Sequence, residues 1–103
     1  MKTTKLTKSI LKSALATLSN DEYIDLYRQA LYDCKSDEEI ELVSSHRKIY
    51  YVWSDNLDGA TYMSEENLMK YIRSLEDSLV DLMIENDTDF GLSEKRPLVL
   101  QAA

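Results

Sequence analysis

The chain has 103 residues, the length of one domain. Nineteen acidic residues against twelve basic ones give a net charge of −7, the wrong sign for neutralising nucleic-acid phosphates. Two glycines and one proline are few for the turns of an all-β fold, and one Cys excludes an internal disulfide. That Cys34, with the single His46, cannot make a zinc site, and no apolar run is long enough to span a membrane.

In Met1–Lys12, Lys and Ser interrupt every apolar stretch, so no export signal is read there. The expectation is a reducing cytoplasm, with Cys34 a buried thiol. Leu6, Ile10, Leu11, Ala14, Leu15 and Leu18 fall at helical spacing. They predict a first helix over about 5–18, capped by Thr3 or Thr4.

Ser19-Asn20-Asp21-Glu22 is a capping box, in which the Ser hydroxyl and the Glu carboxylate satisfy each other's backbone N–H. Leu18 and Tyr23 stand where its hydrophobic staple belongs. A second helix follows from Asp21 to about Lys35, with Tyr23, Ile24, Tyr27, Ala30, Leu31 and Cys34 as its apolar face.

Residues 37–63 support two readings. Ser36-Asp37-Glu38-Glu39 repeats the box, and Ile40, Val43, Arg47, Tyr50 and Trp53 keep helical spacing, which predicts a helix over 37–54. Against it, Ile49-Tyr50-Tyr51-Val52-Trp53 is rich in β-formers, and Asp55 to Gly59 is a turn cluster, so a short hairpin at 47–63 is the rival. The helix is preferred because the cap is strong and a two-stranded sheet alone is marginal.

Ser64-Glu65-Glu66-Asn67 starts the last predicted helix, from Glu65 to about Asn86. Its seam is Leu68, Ile72, Leu75, Leu79 and Leu82. Periodicity stops at Asp87, and Leu98-Val99-Leu100 ends an irregular tail. The fold expected is all-α: a compact bundle of about four helices, one domain over 1–90 and a flexible tail over 91–103.

Charge is unevenly spread: +4 over 1–18, −6 over 19–45, +2 over 46–54, −8 over 55–92 and +1 over 93–103. Two acidic blocks therefore flank a short basic, aromatic stretch. A solvated face that keeps the domain soluble accounts for such charge. Rigid carboxylates at helical spacing also suit a partner with a positive groove. The residues expected to meet such a partner are Asp33, Asp37, Glu38, Glu39 and Glu41 from one block, and Glu76, Asp77 and Asp81 from the other. Tyr51 and Trp53 join them, because Tyr and Trp are enriched at binding hot spots. Seven Tyr against one Phe is a marked bias. Tyr23, Tyr27, Tyr50, Tyr62 and Tyr71 read as core residues with wet hydroxyls, and Tyr32 as a surface residue.

No glycine-rich phosphate loop, nucleophile elbow or metalloprotease motif is present, and His46 has no partner in sequence. The expectation is a protein that is not an enzyme and has no cofactor. Ser54, Asn56, Asp58, Gly59 and Glu65 fall at calcium-loop spacing, but Ser stands where the first carboxylate belongs. That segment is read as a polar turn, with no metal.

In size, charge and helical acidity alone, the chain is similar to small phage-encoded inhibitors such as anti-restriction and anti-CRISPR proteins, some of which act as DNA mimics. No motif of any such family is matched. That likeness implies a cytoplasmic inhibitor of a basic, nucleic-acid-handling protein, touching neither nucleic acid nor membrane itself. The alternative is a regulatory or assembly module that pairs through the Leu68–Leu82 seam, with a partner helix or as a homodimer.

Overall fold

A computed structural model of the chain describes residues 7–96. Two helices come first, α1 (Lys8–Leu15) and α2 (Asn20–Asp33). Three strands follow, β1 (Glu39–Ser44), β2 (Ile49–Ser54) and β3 (Gly59–Ser64). The order ends with α3 (Glu65–Ser74), α4 (Glu76–Glu85) and the single turn α5 (Leu92–Lys95). The strands form one antiparallel meander, β1-β2-β3. The all-α expectation is therefore wrong, and the protein is a mixed fold with helices against a three-stranded sheet.

The physical reason lies in residues 36–64. Ser36 does not cap a helix; its hydroxyl accepts from the Glu38 N–H at 3.1 Å and turns the chain into β1. Along β2, buried Tyr50, Val52 and Ser54 alternate with half-buried Ile49, Tyr51 and Trp53. Left-handed Lys48 and Asp58 close the two hairpins. The rival hairpin at 47–63 forms as β2 and β3, paired from Ile49↔Ser64 to Ser54↔Gly59, and it does not stand alone, since β1 pairs with the other side of β2. Three strands packed on helices escape the instability that favoured the helical reading.

Two of the predicted caps form. Ser19 and Glu22 complete the capping box of α2, at 3.2 and 3.0 Å. The Ser64 hydroxyl accepts from the Asn67 N–H at 3.2 Å and starts α3 directly from β3. Thr7 caps α1 by accepting from the Ile10 N–H at 3.2 Å. Thr3 and Thr4 lie outside the described residues.

The long last helix is broken at Leu75, whose backbone (φ −100°, ψ 11°) separates α3 from α4. The break lets both halves face the core. Leu68, Ile72 and Leu79 are buried, and Leu75 and Leu82 pack against them. The seam is thus spent inside the chain's own core, with Leu11, Leu15, Tyr23, Leu26, Val52, Val80 and Met83. Each such side chain contributes roughly 1.5–3 kcal/mol of apolar burial.

Residues past the end of α4 also pack on the core. Phe90 and Leu92 are buried, and the Asp89 carboxylate accepts from the Gly91 and Ser93 N–H groups at 2.9 and 3.2 Å. Arg96 clasps Glu22 through both guanidinium nitrogens, at 3.1 and 2.9 Å. Leu98-Val99-Leu100 lies outside the described residues. No helix among the described residues is long and apolar enough to cross a membrane.

Candidate functional site

The ten residues expected at a partner surface fall into three environments. Glu38 is a structural carboxylate. Its Oε1 accepts from the Tyr27 hydroxyl at 2.7 Å and its Oε2 from the Tyr71 hydroxyl at 2.8 Å. The Tyr71 oxygen also sits 2.9 Å from the buried Ser54 hydroxyl, which accepts from the Asn56 N–H at 3.1 Å. One carboxylate thereby ties α2, α3 and the end of β2 to the start of β1. Burial, with Glu38 alongside, pushes the Tyr27 and Tyr71 hydroxyls above the ordinary tyrosine range.

Glu76, Asp77 and Asp81 form a second group on α4, spent on neighbours within the chain. Glu76 accepts from the Tyr23 hydroxyl at 2.7 Å, while the Arg73 guanidinium lies 4.4 Å from the Tyr23 ring centre. Asp77 pairs with Lys12, and Asp81 with Lys8 at 3.1 Å. The hydrogen bond and charge of Lys12 hold the Asp77 carboxyl below the usual carboxylate range. The basic first helix thus pairs with exposed acids of the second block, a neutralisation that block charges conceal.

The third environment is the open face of the sheet, opposite the helices. Across β1 and β2, Glu39 stands opposite Trp53 and Glu41 opposite Tyr51. Across β2 and β3, Tyr51 stands opposite Tyr62, with their rings edge to face at 5.8 Å between centroids. Tyr62 is 69% exposed, so the expectation of a core residue is corrected. The turn at 55–59 and the alternation Ala60, Tyr62, Ser64 carried the signal that places it outward. Asp33 and Asp37 lie exposed near this edge in sequence, at the end of α2 and just before β1; Asp33 accepts from the Gln29 amide at 2.8 Å. Among the described residues no charged side-chain nitrogen of Lys, Arg or His lies within 4 Å of a carboxylate oxygen of Asp33, Asp37, Glu39 or Glu41.

The calcium-spaced residues flank a tight hairpin turn between two strands rather than a loop between helices, and Ser54 is buried in the tyrosine network. No group of three or more His, Cys, Asp or Glu among the described residues is arranged to hold a metal ion. His46 is exposed in the β1–β2 turn, and Cys34 is half-buried at the end of α2.

Comparison with protein-family models, with curated proteins and with solved structures finds no match to this chain.

Proposed function

We propose that this protein binds a basic, nucleic-acid-handling protein through the open face of its sheet and inhibits it. One observation carries the reading: Glu39 and Glu41 stand beside Trp53, Tyr51 and Tyr62 on one exposed face, without a cation of their own among the described residues. An arginine guanidinium uses both halves of such a face. It stacks on the aromatic rings and donates to a carboxylate in the same plane. Grooves that hold nucleic acid are lined with such arginines, and occupying them excludes the phosphate backbone. The carboxylates set the approach and the salt dependence; the aromatic rings supply the desolvated centre.

The test is capture of partners from a nuclease-treated bacterial lysate, eluted in rising salt, by the native chain and by E39K/E41K and W53A variants. The expected result is a basic nucleic-acid-binding protein that elutes with salt, fails to bind either variant, and loses its nucleic acid when the native chain is added. Equal capture by all three chains would overturn the assignment to this face.

A further inference from the structure

We infer that the free edge of β1 takes an extended, basic segment of the partner as a fourth strand. This rests on the reading of a basic partner and names the element of it that is held. β1 is an outer strand of the sheet, so alternate backbone N–H and C=O groups along Glu39–Leu42, up to the bulge between Leu42 and Ser44, point away from β2. Among the described residues, none hydrogen-bonds to those outward groups. Nor is the edge blunted by a proline.

Beside that edge runs an open groove of about 580 Å³ between β1 and α2. Its α2 wall presents Tyr32, 82% exposed, with Arg28 and Asp25; its β1 wall presents Glu39, Ile40 and Glu41. Further along the strand Leu42 and Val43 are 43% and 50% exposed. An extended segment alternates its side chains between two faces. Added to β1, one set of its side chains would meet Tyr32 and Ile40, and the other the carboxylates of Glu39 and Glu41. The occupant that fits is a strand with apolar residues alternating with Arg or Lys.

The charge also disfavours a rival. A second copy pairing antiparallel about Ile40 would set Glu39 of each copy opposite Glu41 of the other, and like charges directly opposite are destabilising. The acids therefore favour a cationic strand over a second copy in that register.

The test is NMR titration of the isotope-labelled chain with three synthetic peptides: one alternating Val and Arg, the same peptide N-methylated along one edge, and one alternating Val and Glu. The expected result is binding of the Val-Arg peptide alone, with shifts over Glu39–Ser44 and at Tyr32 and slowed exchange of the outward β1 amides. N-methylation should weaken it by at least about tenfold, because the backbone bonds are lost. Tyr32→Ala should weaken binding of the peptide. Equal binding of the N-methylated peptide would overturn strand addition, as would shifts confined to Tyr51, Trp53 and Tyr62; the latter would leave the open-face reading standing. Failure of all three peptides would also overturn it, whereas failure of the open-face reading shows in the lysate capture by W53A.

Discussion

The Tyr27 hydroxyl donates to Glu38 Oε1 at 2.7 Å, which makes an acid from the run Asp37–Glu41 an internal fastener. The second oxygen of the same carboxylate takes the Tyr71 hydroxyl. Hydrogen bonds to a charged group contribute about 1.5–3 kcal/mol each, and two hydroxyls lose their acceptor together. Glu38→Ala should therefore destabilise the fold by about 3 kcal/mol, and Glu38→Gln by less, since an amide oxygen still accepts. Urea unfolding of the three chains checks this; equal stability would show that the network is not a fastener.

The open face should behave in the opposite way. Tyr62→Ser, which loses only the edge-to-face contact with Tyr51, should cost no more than about 1.5 kcal/mol, and Glu41→Lys should stay within about 0.5 kcal/mol of the parent. Leu68→Ala, at a fully buried position, should cost about 2–5 kcal/mol. Thermal melts separate the two sets. Partner capture should fail for the surface pair even though they remain folded.

Gly59 opens β3 at φ +126°, a conformation strained for any residue with a Cβ. No atom outside its chain neighbours lies within 4 Å of a Cβ built there, so the cost of Gly59→Ala is backbone strain alone. It should be about 1–3 kcal/mol. The loss should appear as faster amide exchange at the Asp55–Gly59 turn before it appears in the helices.

Stability should also fall at both ends of the pH scale. Glu22 is held below the usual carboxylate range by its hydrogen bond from Ser19 and by Arg96, and Asp77 by Lys12. Asp89 is also held low, although burial works against it, because the Ser93 and Gly91 donors outweigh that burial. A carboxyl depressed in the folded state binds fewer protons than when unfolded. Its stabilisation is complete above the unfolded pKa of about 4 and is lost as pH falls through the folded value.

At the alkaline end, burial, reinforced by Glu76 and Glu38, raises the Tyr23 and Tyr27 hydroxyls. Here the unfolded chain loses its protons first, so stability is complete below about pH 10 and declines above it. Tyrosinate absorbance followed with circular dichroism should show the Tyr23 and Tyr27 hydroxyls ionising only as the fold is lost.

Sequence spacing was sufficient for the helix starts at Ser19 and Ser64, because a cap is decided by residues three apart. It was also sufficient for the net acidity and for the apolar seam of α3 and α4. It misread Ser36, whose box pattern is the same as that of Ser19, because the choice there was not local. Ile49–Trp53 becomes a strand only because β1 and β3 lie on either side of it, and those partners are distant in sequence.

The candidate surface divides in the same way. Composition gave ten acidic and aromatic residues, but the tertiary structure sorted them. It folded α1 onto α4 and set Lys8 and Lys12 against Asp81 and Asp77. It turned Glu38 inward to two tyrosines, and left Glu39, Glu41, Tyr51 and Trp53 on one face with Tyr62. A residue's type is fixed by its position in the chain, whereas the charge that offsets a carboxylate comes from whatever element packs beside it, and that was decided by burial of the common core.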